Sequence, residues 1–293
     1  SDRTMASGAK DAPLTSFLRT LYRFWPIAFM AFCIGAVVFL PIVEERGVVV
    51  APTDADTVQA FLTSPPLLIA VTATALGLRW SMSLGHVMTD TEFMAMVWHL
   101  SNGTWWSLGC DSWSGLFRIM PRMRKMYLIL DTKHGVNWDD QTVDRPWNPE
   151  QATLESVYWA ETTVHVPLSL LAFYLYATRN RNRYLVEAFV GGAQLVGSYG
   201  YYGPELLAYL HGFPTTWPDN WVIFMLGIGC VPLVWCTLPC CLTLRAMLMQ
   251  MEVNSSFGGA AKATEKKASA KSETKSTQSP RKLRSRSRSR GSS

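Results

Sequence analysis

Charge is scarce: only 17% of the 293 residues are Asp, Glu, Lys or Arg, against roughly a quarter in an ordinary soluble domain. That shortage excludes a generally solvated or disordered chain, because 48% apolar content must be absorbed by a core or a bilayer. The six cysteines form no C-x-x-C pair, and four of them fall inside one apolar run. No disulfide framework and no zinc site is expected from that spacing, and the clustered cysteines read as small hydrophobes.

The net charge of +5 joins two unlike parts. From Lys262 to the end there are eleven basic and two acidic residues, leaving sixteen basic and twenty acidic before it, so the basicity belongs to the tail. The tail is rich in Lys, Ser, Ala and Thr and ends KLRSRSRSRGSS. Such a composition cannot bury enough apolar area to offset chain entropy, and disorder is expected there. No specific nucleic-acid partner is inferred from it, since like-charge blocks are usually solvated.

What the chain has in abundance is apolar length. A helix needs about 20 mostly apolar residues to cross a bilayer. Phe24 to Val43, Tyr158 to Ala177, Tyr184 to Leu210 and Trp221 to Leu244 meet or approach that, and Pro66 to about Val87 is a fifth candidate carrying Arg79 and His86. The expected fold is therefore all-α, a polytopic membrane helix bundle of about five transmembrane helices with a disordered basic C-terminal tail. Its divisions are an N-terminal segment 1–23, a first helix and loop 24–65, a membrane domain 66–246 and the tail 247–293. The Arg-rich turn ATRNRNRY and the tail belong on the cytoplasmic side. Five crossings then put the amino terminus opposite, which Arg3, Lys10, Arg19 and Arg23 oppose, so six crossings stand as the alternative. The Trp-rich stretch after the fifth candidate is expected to re-enter or lie on the membrane. Within it, Asn102-Gly-Thr is a glycosylation acceptor pattern.

Ionisable groups inside such spans cost about 2.5–3.5 kcal/mol each on insertion scales, so they tend to face a bundle interior and mark function. Glu161 and His165 are four apart, with Ser169 a turn further on, and a buried carboxylate beside an imidazole can move a proton. His86 and Asp90 have the same spacing near the end of the fifth candidate; His99 is a weaker rival. Glu187, Gly191, Gln194, Ser198, Tyr201 and Glu205 recur at helical intervals along one face. That stripe reads either as ligand lining or as a packing seam. Pro232 and Pro239 are expected to kink the last span, and Trp235 between them offers an aromatic face to a cation.

The segments ETTVHVPLSLLAFYL, AQLVGSYGYY and VPLVWCTLPCCLTL, in that order and spacing, resemble the emopamil-binding protein family of sterol Δ8-Δ7 isomerases, which shares the EXPERA superfamily with the sigma-2 receptor. HVMTDTEF is similar to the family's second-span element of a His, an acid four residues on and a Phe seven on, supplying His86, Asp90 and Phe93. The resemblance implies an endoplasmic-reticulum enzyme without a cofactor, whose partners are the bilayer and a sterol or other polycyclic isoprenoid; a homodimer is compatible with seams of Gly and Ser. It implies His86, Asp90 and Glu161 as catalytic residues, and Gln194 and Tyr201 as lining of a cavity in which Trp235 faces a carbocation. Position brings His165 and Ser198 into the same lining. The alternative is a sterol- or amine-binding protein without the chemistry. The chain departs from the family in having Asp rather than Glu at position 90 and Pro at position 232 where the family has Asn.

Overall fold

The structure is a computed structural model. It describes residues 13–39, 44–45, 48–49, 55–130, 134, 149–218, 221–225, 229 and 233–256. The expected disorder of the C-terminal tail beyond 256 and the expected kink at Pro232 lie outside the described residues.

Helix α1 (Pro13–Phe39) begins well before the expected Phe24 and contains Pro26. Two two-residue strands, β1 (Glu44–Glu45) and β2 (Val48–Val49), pair antiparallel with Glu44 opposite Val49. Among the described residues everything else in regular structure is helical: α2 (Ala55–Leu62), α3 (Pro65–Ser83), α4 (Asp90–Ser101), α5 (Pro121–Leu130), α6 (Pro149–Ala160), α7 (Val166–Ala177), α8 (Arg183–Leu210), α9 (Trp221–Phe224) and a helix, α10, over 238–256. The chain divides into two compact units, Ser1–Met247 and Leu248–Ser293.

The Trp-rich stretch is the centre of the bundle rather than an interfacial segment. A capping box starts α4: the Thr89 N–H donates to Glu92 Oε2 at 3.1 Å, and the Glu92 N–H donates to Thr89 Oγ1 at 3.2 Å. The helix then continues without a break into a π-helical stretch, Asn102–Leu116, and every residue from 92 to 107 is buried. Its polar side chains hid this from composition, and part of them are satisfied within the bundle. Ser101 and Thr104 donate back to the carbonyls of Trp98 and Leu100, and the Thr104 and Thr74 hydroxyls meet at 2.7 Å. Asn102 is only 1% exposed, so the acceptor pattern sits in a packed helix.

Two further π turns precede prolines. Glu161–His165 joins α6 to α7 and ends two residues before Pro167, and Leu233–Thr237 ends two residues before Pro239. Proline removes a donor and crowds the preceding turn, so the ladder widens there. The expected span Tyr158 to Ala177 is thus the second half of a helical run starting at Pro149.

The bundle buries a set of polar side chains within its apolar core and exposes many large apolar ones. Helix α8 buries Glu187, Gln194 and Glu205 while exposing Phe189, Val196 and Leu207, the arrangement expected when the surrounding solvent is lipid. Two helices, Leu14–Val38 and Val234–Ser256, are long and apolar enough to cross a membrane. Helices approach through glycines, as membrane bundles do: a Cβ at Gly103 would lie 2.8 Å from the Leu170 side chain. A column of rings runs through the interior, with Trp98 5.7 Å from Trp25 and 5.1 Å from Trp235, and Trp106 5.0 Å from Trp235.

Candidate functional site

The π turn before Pro167 presents Glu161 and His165 to the central helix. His165 Nδ1 lies 2.8 Å from Glu161 Oε2, with the side chains 5% and 18% exposed. Ser107 joins them from the long π-helical stretch: its Oγ donates to Glu161 Oε2 at 2.7 Å and is 2.8 Å from His165 Nδ1. In a helix bonded i to i+5, residues five apart share a face, which aligns Asn102, Ser107 and Ser112. Ser112 Oγ donates to the Ser107 carbonyl at 2.7 Å and meets Thr162 Oγ1 at 2.7 Å. A Cβ on Gly197 of α8 would lie 4.0 Å from Glu161 Oε1, so α8 leaves the carboxylate room.

Several buried polar atoms along this seam have no hydrogen-bond partner among the described residues. They are His165 Nε2, both ring nitrogens of His99, Asn102 Nδ2 and Ser169 Oγ. Unpaired buried polar groups cost about 1–3 kcal/mol each, so their concentration marks a place built for something other than apolar packing.

The remaining expected lining residues divide between this seam and a second cluster. Ser198 Oγ donates to the Trp235 carbonyl at 3.4 Å, and the Trp235 ring packs on Trp98 and Trp106. Gln194 is buried one turn before Ser198 on the same face of α8. Tyr201 instead meets His134, its hydroxyl 2.8 Å from Nε2, while His134 Nδ1 bonds the Tyr158 hydroxyl and the Tyr127 ring lies 4.7 Å away. Tyr127 in turn donates to Asp111 Oδ1 at 3.3 Å.

His86 and Asp90 do not share a helical face. Helix α3 ends at Ser83, Gly85 turns the chain at φ 64°, and α4 starts only at Asp90. His86 is exposed in that loop, and Asp90 pairs with Arg19 at 3.2 Å and Arg23 at 3.7 Å on α1. The buried histidine of this region is His99, its ring 6.2 Å from that of Tyr176. In the sequence His99 is the weaker rival of His86, Asn102 shows only as a glycosylation acceptor pattern, and Ser107 is not singled out. The usable signal was the uncharged aromatic run WHLSNGTWW, which has the makeup of a buried helix, whereas a period of 3.6 conceals Ser107.

The α8 stripe is a packing seam at its ends. Glu187, fully buried, accepts from Arg245 Nη1 at 3.2 Å and from the Tyr176 hydroxyl, and Glu205 Oε2 accepts the Thr216 N–H at 3.0 Å. Beside the turn 178–182, Glu92 Oε1 accepts from Arg183 Nη2 at 2.9 Å and from the Tyr184 hydroxyl at 2.6 Å. Burial alone raises the Glu92 carboxyl, but the hydrogen bonds of Tyr184, Thr89 and Arg183 and the guanidinium charge outweigh it and hold it down to about 2.

Fold and site together define a helical membrane protein with a buried ionisable cluster next to an aromatic column. Residues 119–246 match the family model of EBP, the EXPERA (EXPanded EBP superfamily) group, in agreement with the resemblance carried by the Glu161, Gln194 and Trp235 segments. The match takes in Glu161, His165, Gln194, Ser198, Tyr201 and Trp235; His86, Asp90, His99 and Ser107 precede it. No curated protein matches the chain.

Proposed function

We propose that the protein is a membrane isomerase that shifts a carbon–carbon double bond in a sterol or related polycyclic isoprenoid, of the Δ8 to Δ7 type. The observation that carries this is His165: Nδ1 is held by Glu161 and Ser107, while Nε2 is buried and unpartnered among the described residues. An imidazole oriented by a carboxylate through one nitrogen exchanges protons through the other. Protonated His165 gives its Nε2 proton to one alkene carbon, whose π electrons form the new C–H bond and leave a carbocation. The faces of Trp235, Trp98 and Trp106 stabilise that cation, by about 2 kcal/mol for a desolvated contact. Loss of a proton from a neighbouring carbon to the bare Nε2 returns the electrons to a new double bond and restores His165. The composition is unchanged and no redox partner is needed. His86 and Asp90 fall outside this scheme because of where they sit. The endoplasmic-reticulum membrane, five crossings and a cytoplasmic tail complete the reading; protease or epitope accessibility of the tail in sealed microsomes tests the orientation.

Membranes containing the Glu161→Gln or His165→Gln protein and supplied with a Δ8 sterol are expected to form at least about a hundredfold less product than wild type, with insertion unchanged. Wild-type turnover in both variants removes the pair from the reaction. The dispersal of His86 and Asp90 favours a second reading, a sterol- or amine-binding protein without turnover. Purified wild-type protein that binds a hydrophobic amine yet never converts a Δ8 sterol establishes that reading instead.

A further inference from the structure

Ser107 stands 54 residues before Glu161 and touches both members of the pair. The arrangement is not that of a hydrolase triad, in which serine and carboxylate bind opposite nitrogens of the imidazole. Here both reach the same nitrogen, Nδ1, so Ser107 has no base on its free side and is no nucleophile. The hydroxyl has one proton to place. Glu161 Oε2, at 2.7 Å, can only accept while ionised. With the Ser107 proton on that oxygen, the 2.8 Å contacts of Nδ1 to Glu161 Oε2 and Ser107 Oγ are both satisfied by a single shared N–H.

We propose that Ser107 is a positioning residue that keeps the imidazole proton of His165 on Nδ1, in its neutral and its charged form alike, so that every proton exchanged with a ligand passes through Nε2. The physical reason is competition for one proton. With two protons on the pair there are two low-energy arrangements: carboxylate with an imidazolium protonated on both nitrogens, or carboxylic acid donating to a bare Nδ1, the Nδ1 proton having passed to Glu161 while Nε2 keeps its own. The Ser107 hydroxyl favours the first, because its donated bond is stronger to an anion than to a neutral acid. In the second arrangement Nε2 carries a proton that a neutral imidazole does not give up, and the site is idle. Among the described residues the other ionisable groups facing the pair are Asp111, from the same π-helical stretch as Ser107, and His99, from α4. Asp111 is itself engaged, accepting from the Tyr127 hydroxyl at 3.3 Å, so the serine hydroxyl is the contact that touches both members of the pair. The placement depends on the π register: the i to i+5 bonding that puts Ser107 beneath Asn102 and above Ser112 turns its hydroxyl to Glu161.

This inference rests on the isomerase reading only for its catalytic consequence, and its test separates the two. The full-length protein, labelled with 15N on the imidazole nitrogens of its five histidines and embedded in lipid bilayers, is measured by solid-state NMR. His165 is identified by the signals missing from His165→Gln. In wild type, Nδ1 of His165 is expected to show the protonated shift and Nε2 the bare one at neutral pH. In Ser107→Ala the ratio of the two tautomers is expected to move at least about tenfold toward Nε2–H, the worth of one bond to a charged acceptor. In Ser107→Thr, which keeps the hydroxyl, the wild-type pattern returns. Turnover of a Δ8 sterol is expected to follow the tautomer, falling about tenfold in Ser107→Ala and recovering in Ser107→Thr. An unchanged tautomer ratio in Ser107→Ala overturns the proposal, as does a wild type whose His165 already carries its proton on Nε2. A tautomer shift in protein that never isomerises any sterol upholds the role of Ser107 and defeats the isomerase reading alone.

Discussion

Gly191 shows how little room a single residue has in this bundle. A Cβ built on it overlaps Thr243 Oγ1 and lies 3.1 Å from the Pro239 carbonyl oxygen, so α8 and α10 touch through bare backbone. Gly191→Ala is expected to lower stability by roughly 1–3 kcal/mol, the usual penalty of overpacking. Thermal unfolding in detergent reads the loss, and adding Thr243→Ala is expected to recover part of it by withdrawing the hydroxyl. Full recovery is not expected, because the carbonyl is fixed by the helix. Asn102 supplies a second check at this scale. At 1% exposure inside a packed helix it is out of reach of a glycosyltransferase once folded, so glycosidase treatment and Asn102→Gln are both expected to leave the electrophoretic mobility unchanged.

At the scale of elements, the start of α4 is tied to the turn before α8. The Glu92 and Arg183 side chains are 7% and 12% exposed and bond at 2.9 Å. Removing one partner of a buried pair strands the other, so Glu92→Gln is expected to cost about 3 kcal/mol at neutral pH. The pH dependence has a definite sign. A carboxyl depressed from 4.5 to about 2 contributes its full stability above the unfolded value and loses it as pH falls through the folded one. Wild-type melting temperature is therefore expected to hold from pH 7 to 5 and to fall between about 4.5 and 2, with a shallower fall in Glu92→Gln. Equal slopes for the two proteins would remove Glu92 from the acid transition. The π-helical elements belong at this scale too. They are where the helical spacing read from residues stops predicting neighbours, and Glu161–His165 and Leu233–Thr237 sit just ahead of a proline.

For the whole molecule, the burial of partnered acidic side chains alongside an apolar exposed surface is the governing fact. Glu92, Glu187 and Glu205 are buried with partners, while Leu, Phe, Val and Tyr side chains are exposed around α3, α7 and α8. Lipid as solvent makes that the stable arrangement, since an unpaired charge facing hydrocarbon is far more costly than an exposed leucine. The proposed site lies within the unit Ser1–Met247. Deleting residues 260–293 is accordingly expected to leave sterol turnover and the melting temperature unchanged. Loss of a cellular phenotype on that deletion, with Glu161 and His165 dispensable, would favour a scaffold role for the chain over a catalytic one.

Much of this was readable in the residues. Apolar length located α3 and α8 closely and found the end of α7 but not its start, because a bilayer demands runs of a certain extent whatever surrounds them. The four-residue spacing of Glu161 and His165 foretold their contact, since neighbours on one helix are decided by local backbone bonding. The packing of Trp235 near the α8 stripe followed only in outline. What tertiary structure alone decided is which histidine lies inside. His86 and His99 stand on either side of a cap at Thr89, and only the folded chain, with Asp90 drawn to Arg19 on α1, puts the first in a loop and the second in the core. It also decided the partner of Glu161. Ser107 is distant in sequence and lies in a helix whose bonds run i to i+5, so no count at the ordinary helical period reaches it. Local rules set where helices form and which side chains stack along them. The identity of a buried partner comes from how two helices are pressed together, and that is a property of the packed bundle.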